Sequence, residues 1–137
     1  MNHLIALFDY KRHYHRGTSG LKTVPMRVLS AIEESGEIPT LELGKRSEVP
    51  PATLIGILDD LERRGLVRRL RSTGDKRVVL VSATASGREL VALREEEERR
   101  FSEKVDGGLS PAERGALAAL LSKLLGGIGD EAGLFKE

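Results

Sequence analysis

The segment Asp59–Leu80 constrains the fold of this chain more than any other part of its sequence. It begins as the end of a helix with apolar residues at helical spacing, and Gly65 follows, suited to the left-handed conformation that ends many helices. Two strand-like runs, 66–70 and 77–81, come next, with the turn residues 72–75 between them. A helix followed directly by a β-hairpin is typical of the reading end of a winged helix-turn-helix.

Positive charge is concentrated in this same segment. Between Arg63 and Arg77 the sequence has seven basic residues against a single acid, Asp75, whereas the formal net charge of the whole chain is only +1. A basic patch on a nearly neutral protein indicates a defined docking face rather than general affinity for polyanions. Duplex DNA is therefore the leading partner.

The composition argues against several classes of protein. A chain of 137 residues has the usual size of one domain, and the absence of cysteine excludes disulfides and Cys-ligated zinc and fits a cytoplasmic protein. No apolar run has the length needed to cross a bilayer, and the first residues lack the order of a signal peptide. No nucleophile triad, phosphate loop or metal-ligand spacing is present. We expect no enzymatic activity, cofactor, metal or membrane association.

The residues before the hairpin predict helices in the order of a helix-turn-helix. Helical spacing and end signals predict helices at 4–15, from a cap at Thr23 to a stop at Gly36, at 41–47 with Thr40 as cap, and at 52–64. Residues 38–39 form a short extended piece in this interpretation.

Two more helices are predicted after the hairpin. Thr84 is the expected cap of a long helix that runs to about Val105. Ser110–Glu113 has the spacing of a capping box, with proline at the first helical position, and a leucine stripe follows it. The glycines at 126, 127 and 129 are predicted to end this last helix.

Four short motifs make the chain resemble a known family. They read L-E-R-R-G-L-V at 61–67, D-K-R at 75–77, A-T-A-S-G at 83–87 and S-P-A-E at 110–113. The MarR family of bacterial and archaeal transcriptional regulators shows L-E-x-x-G-L-V, then D-x-R in the wing, L-T-x-x-G at the start of the long helix, and a similar start of the last helix. The resemblance covers roughly residues 21–125, and the four motifs are specific in this order and spacing.

The resemblance implies a mainly α protein with a small β-hairpin wing. It implies one domain over 1–137, in which a winged helix-turn-helix at about 21–83 lies between dimerisation helices at 1–16 and 84–127. The helix at 52–64 would enter the major groove, and the wing would reach the minor groove with Arg77. The resemblance further implies a homodimeric repressor that a small aromatic or phenolic ligand releases from double-stranded DNA.

Candidate DNA contacts come from the helix-turn-helix and from the wing. They are Thr40, Ala52, Thr53, Ile55, Gly56, Arg69, Arg71, Lys76 and Arg77. Asp75 is expected to hold the wing by pairing with an arginine, as the family's wing aspartate does. Arg69 and Arg71 share one face of their strand and Arg68 lies on the other, so at most one of these sets faces DNA.

The exposed face of the predicted recognition helix is unusually apolar. No Arg, Lys, Asn or Gln lies between Val49 and Asp60, so bidentate contacts to bases are lacking. Ala52 and Ile55 could touch thymine methyl groups, and Gly56 reflects either a close approach to the duplex or drift. Backbone and wing contacts are expected to supply most of the affinity. A module of the same fold that senses a ligand, with weak or sequence-independent DNA binding, stays open as the alternative.

The first predicted helix carries the candidate ligand residues. Tyr10, Tyr14 and His13 could line a pocket for a small aromatic ligand. A metal site at His13 and His15 is disfavoured, because residues two apart do not face each other on a helix. The choice between repressor and activator, the ligand and the operator stay open at this point.

Overall fold

The structure is a computed structural model that describes residues 20–132 of the 137-residue chain. Its elements, in chain order, are α1 (Thr23–Ser35), β1 (Glu37–Pro39), α2 (Thr40–Ser47), α3 (Pro51–Arg63), β2 (Val67–Arg71), β3 (Val79–Ala83), α4 (Ala85–Gly107) and α5 (Pro111–Ala132). The contacts divide the chain into two units, one up to Glu97 and one from Glu98. The predicted helix at 4–15 lies outside the described residues.

The wing hairpin is part of a three-stranded antiparallel sheet in the first unit. The strand order is β1-β3-β2, and Val81 in the central strand lies opposite Ile38 on one side and Arg69 on the other. The extended piece predicted at 38–39 is therefore a sheet strand. Both hairpin strands lie further along the chain than predicted, and the loop between them holds residues 72–78. The Ser72 N–H donates to the Val78 carbonyl at 2.9 Å and closes this loop.

The core of the first unit lies between α1, α2, α3 and one face of this sheet. The ten largest side chains that are fully buried belong to Val28, Leu29, Ile32, Ile38, Leu43, Leu54, Leu58, Leu61, Val67 and Val81. Ser47 lies among them with 2% exposure. Its hydroxyl donates to the Leu43 carbonyl at 2.6 Å, so this buried polar group has the partner that it needs.

A glycine ends α3 as predicted. Gly65 has φ of 72°, and its N–H donates to the Glu62 carbonyl at 2.9 Å, while the Leu66 N–H donates to the Leu61 carbonyl at 2.9 Å. These two bonds form a Schellman motif, and the buried side chains of Leu61 and Leu66 suit the apolar contact that accompanies it. The motif turns the chain sharply from α3 into β2.

The start of α4 is attached to that same turn. Thr84 caps the helix as predicted, since its hydroxyl accepts the Gly87 N–H at 3.1 Å, and it also donates to the Gly65 carbonyl at 2.6 Å. The Thr84 N–H donates to the Leu66 carbonyl at 3.0 Å. A Cβ atom on Gly87 would lie 2.1 Å from that Leu66 oxygen, so only glycine fits at this position.

The predictions that Thr23 and Thr40 cap helices are wrong. Both residues lie in the first turn of their helices, and the capping positions belong to Lys22 and Pro39, which make no side-chain capping bond. The Thr40 hydroxyl instead donates to the Val79 carbonyl at 3.0 Å. Thr40 is the first residue of α2, and its hydroxyl reaches the edge of β3, which lies beside the start of that helix.

The second unit contains the predicted capping box. The Ser110 N–H donates to Glu113 Oε2 at 2.7 Å and the Glu113 N–H donates to Ser110 Oγ at 3.3 Å. The bond from the Ser110 backbone lowers the pKa of the Glu113 carboxyl. The prediction that glycines end α5 is wrong, because the helix continues to Ala132. Each glycine weakens a helix by ~1 kcal/mol relative to alanine but does not forbid helical dihedrals.

Within residues 20–132, no helix combines the length and apolar character that crossing a membrane requires.

Leu120 and Leu124, one helical turn apart on α5, are 61% and 52% exposed. They are the exposed part of the leucine stripe that the sequence predicts.

Gly87→Ala should destabilise the first unit strongly, because the new Cβ would overlap the Leu66 carbonyl oxygen. We expect a loss of ~1–3 kcal/mol or more in the free energy of unfolding, as for other overpacked sites. Gly56→Ala is the matched control: a Cβ there meets nothing within 4 Å, so we expect a gain of ~0.5–1 kcal/mol from helix propensity. Urea denaturation of both variants measures the difference, and equal stabilities would contradict the close packing at Gly87.

Candidate nucleic-acid interface

One face of α3 is left to solvent. Leu54, Leu58 and Leu61 point into the core, each at most 2% exposed. The opposite face carries the predicted contacts Ala52, Thr53, Ile55 and Gly56, all of them exposed. The spacing of the buried leucines thus brings the four candidates on the helix together on its free side.

The acids that follow on α3 are paired with arginines. Asp60 lies 2.9 Å from Arg64 Nε through Oδ2 and 3.4 Å from Arg63 Nη1 through Oδ1. Asp59 Oδ1 lies 2.7 Å from Arg69 Nη2. Three of the basic residues of the patch therefore balance carboxylates of α3 and contribute less to a positive surface than the sequence suggests.

Arg69 is the most heavily bonded of these arginines. Its Nε and Nη2 donate to Glu62 Oε2 at 2.9 and 2.6 Å, and its backbone N–H donates to Glu62 Oε1 at 3.3 Å. The hydrogen bond with Arg69 lowers the pKa of the Glu62 carboxyl, and the same bond raises the pKa of Arg69. With the Asp59 bond, Arg69 fastens β2 to α3, and its guanidinium already has two carboxylate partners.

Arg71 shares the face of Arg69, as the alternation predicts. Arg69 pairs with Val81 and Arg71 with Val79, whereas Arg68 lies opposite Ser82 on the other face. Arg71 is exposed and, unlike Arg69, has no acid partner in the described part of the chain. The two predicted contacts on β2 therefore differ: Arg69 is engaged within the protein, and Arg71 is accessible.

The wing tip is shaped by Asp75. Its Oδ1 accepts the Arg77 backbone N–H at 2.9 Å and Arg77 Nε at 3.3 Å. The Arg77 side chain is still 92% exposed, and Lys76 beside it is exposed as well. A turn stabilised by an aspartate thus presents two cations to solvent, as an arginine that enters a groove requires.

The remaining candidates are not gathered here. Thr40 is half-buried and bonded to β3 through its hydroxyl. Arg46, at the end of the same helix α2, bonds to Ser35 Oγ at 3.0 Å and lies 3.6 Å from Glu34. The candidate ligand residues Tyr10, Tyr14 and His13 lie outside the described residues.

Sequence reasoning missed the acid partners of Arg69. The signal was present, because Asp59 and Glu62 are three residues apart and such residues share a helix face. What the sequence lacked was the position of β2 against that face, which the turn at Gly65 determines.

Known proteins with this arrangement are regulators. The MarR family model matches residues 24–79, from α1 to the first residue of β3. NicR of Pseudomonas putida, an HTH-type transcriptional repressor, is 34% identical over 105 residues, or 77% of this chain and 66% of NicR. The chain belongs to the MarR family. It spans just under two thirds of NicR's length.

Solved MarR-type structures agree with this assignment. BpsR of Bordetella bronchiseptica, whose DNA binding is regulated by 6-hydroxynicotinic acid, has a sequence that is 30% identical to this chain. The two structures superpose with a TM-score of 0.61 over 90% of this chain and 96% of BpsR. A mutant MarR of E. coli bound to operator DNA is 25% identical with a TM-score of 0.67, over 90% of this chain and 91% of that one. The predicted family and the winged-helix fold are thereby confirmed, and MarR proteins are transcriptional regulators rather than enzymes.

Arg69→Met should lower the free energy of unfolding at pH 7 by about 1 kcal/mol, the size of a partly exposed charge network. Because Arg69 holds the folded-state pKa of Glu62 below its ordinary 4.5, this contribution is complete above about pH 5 and is lost as the pH falls through the lowered pKa. Denaturation at pH 7 and at lower pH measures the difference in the free energy of unfolding between wild type and variant. This difference should become smaller in acid. Arg71→Met is the control, and a similar loss there would contradict the network.

Proposed function

We propose that this MarR protein is a homodimeric transcriptional repressor that binds operator DNA with α3 in the major groove and the wing in the flanking minor groove. The observation that carries the proposal is the exposed face of α3 in the same unit as a wing tip whose Arg77 is 92% exposed. The likeness to a MarR bound to operator DNA and to the repressor NicR supports it.

The charges of the unit suit these two grooves. Arg71 and Lys76 are exposed cations for phosphate contacts, which supply affinity without sequence preference. Arg77 suits a narrow minor groove, where the negative potential is strongest. We assign Arg69 to positioning, since its carboxylate partners on α3 occupy it. The exposed α3 residues Ala52, Thr53, Ile55 and Gly56 complete the proposed DNA surface.

The repressor is proposed to act as a dimer through segments at 1–16 and 84–127. The exposed Leu120 and Leu124 on α5 support this, because a helix of an isolated domain rarely leaves its apolar stripe in water. A symmetric dimer would read two half-sites about one helical turn apart. Sedimentation that shows a monomer at micromolar concentration would contradict the dimer.

A small aromatic acid is the proposed releasing ligand. BpsR, at 30% identity, has its DNA binding regulated by 6-hydroxynicotinic acid, and the first predicted helix of this chain offers Tyr10, Tyr14 and His13. Hydroxynicotinic and phenolic acids should raise the melting temperature and release bound DNA. No shift and no release across the panel would contradict this part of the proposal.

Fluorescence anisotropy on duplex DNA from the gene's own upstream region, against scrambled duplex in a salt series, tests DNA reading. A specific repressor should bind its own duplex about a thousandfold more tightly. Equal, steeply salt-dependent binding to both duplexes would favour the second candidate function, a module that binds DNA without reading it. The absence of Arg, Lys, Asn and Gln between residues 49 and 62 is what favours that alternative.

Arg77→Ala should weaken operator binding roughly 5- to 150-fold for each half-site and reduce the salt slope by about 2, because the dimer loses one arginine per half-site. The fold should be unaffected, because the side chain is 92% exposed and its ion pair is confined to the wing. Arg27→Ala, an exposed arginine on α1 outside the proposed surface, is the control in the same anisotropy assay. Equal affinities of the two variants would remove Arg77 from the interface.

A further inference from the structure

We propose that Ile55 makes α3 a reader of thymine, with its exposed side chain packed against the C5-methyl group of a thymine in the major groove. The inference rests on the proposed function, in which α3 occupies that groove. It names the base that the helix selects, and it makes Ile55 the residue that determines this choice.

The exposed face of α3 has few polar side chains that could hydrogen-bond to bases. Guanine is usually read by Arg or Lys and adenine by Asn or Gln, and none of these occurs between residues 49 and 62. Cytosine is read by a carboxylate, but Asp59 and Asp60 are already paired with arginines. Thr53 is the one hydroxyl on the exposed face of α3, and a hydroxyl contact does not distinguish bases by itself.

Ile55 lies on the exposed side of α3. Its side chain is 56% exposed, while its neighbours Leu54 and Leu58 are 2% and 1% exposed. The core of the first unit is complete on the other side of the helix and makes little use of Ile55. A large β-branched side chain is thus held out on the face that the proposed function turns toward the bases.

Ile55 has small neighbours on its face of α3. Ala52, three residues earlier, shares its helix face, and Gly56 stands beside it. A Cβ on Gly56 would meet nothing within 4 Å, and Gly56 is not among the residues of positive φ, so neither packing nor backbone conformation requires glycine there. Small neighbours leave Ile55 as the most prominent side chain of this turn and allow the helix backbone to come close to base edges.

Thymine is the base whose chemistry matches this surface. Among the four bases, it alone presents an apolar group, its C5-methyl, to the major groove. An isoleucine gains from covering that methyl, whereas the polar edges of the other base pairs would lose water against it without gaining a hydrogen bond. The apolar face of α3 would therefore select thymine over the other bases.

The test replaces thymines of the operator by deoxyuridine, one symmetric pair at a time. Deoxyuridine keeps every hydrogen-bonding group of thymine and lacks only the methyl. The operator is first obtained by selecting wild-type binders from random duplexes, and affinities are then measured by anisotropy. We expect one such pair to weaken wild-type binding by about 15-fold, since a buried group of this size is worth ~4-fold in each of the two half-sites.

The variant Ile55→Ala assigns the effect to its residue. It should bind the thymine and deoxyuridine operators equally at the sensitive position, while its free energy of unfolding stays close to that of wild type. Leu70→Ala is the matched control, because Leu70 on β2 is 55% exposed against 56% for Ile55. That variant should keep the full preference for thymine.

Each outcome decides between the two proposals. Specific binding that no deoxyuridine substitution weakens, or a methyl preference that survives Ile55→Ala, overturns the thymine inference and leaves the repressor proposal intact. Failure of the wild-type protein to select any duplex over scrambled DNA overturns both.

Discussion

The turn at Gly65 and Leu66 is the constraint on which the rest of the first unit depends. Its two N–H groups bond back to the carbonyls of α3, and its two carbonyls accept bonds from Thr84 at the start of α4. Four backbone polar groups of the turn thereby find hydrogen-bond partners within the chain. Since Gly87 brings α4 against the Leu66 carbonyl, a single turn sets the positions of α3, β2 and the start of α4 together.

Arg69 shows that tertiary packing decides whether a charged side chain is available to a partner or is paired within the protein. Counted in the sequence, Arg69 is one of seven cations in a basic segment. Placed by the turn, it lies against Asp59 and Glu62, which cancel its charge and receive its hydrogen bonds. The positive surface left to a partner is smaller and lies toward the wing tip, where Arg77 projects into solvent. The arginine at the middle of the patch holds α3 against β2.

Features that depend on neighbours in sequence could be predicted well. The glycine stop at Gly65, the Thr84 cap and the capping box at Ser110 arise from bonds between residues a few positions apart, so short motifs carry enough information. The order of these motifs also indicated the family and the winged-helix fold. The assignments of Thr23 and Thr40 as caps were wrong, because each helix begins at the threonine itself and the residue before it takes the capping position.

Features that depend on distant contacts could not be predicted. Residues 38–39 became a strand because β3 has a free edge beside them, and nothing within that short piece indicates its partner. The exposure of Ile55 could be anticipated from the leucine spacing, but the open space around Gly56 could not. The candidate contacts on α3 share one face for a local reason, the helical period. The different situations of Arg69 and Arg71 have a distant cause, the helix that packs beside the strand.

By itself, then, the sequence determined the order of the helices from α1 to α5, the stop at Gly65, the place of the wing and the apolar character of the exposed face of α3. These follow from dihedral preferences, capping bonds and hydrophobic period, which act over a few residues. Only the tertiary structure decided which cations remain accessible, where the third strand pairs and why residue 87 must be glycine. Those outcomes depend on ångström-scale distances between segments far apart in the chain, and such distances exist only once the core has packed.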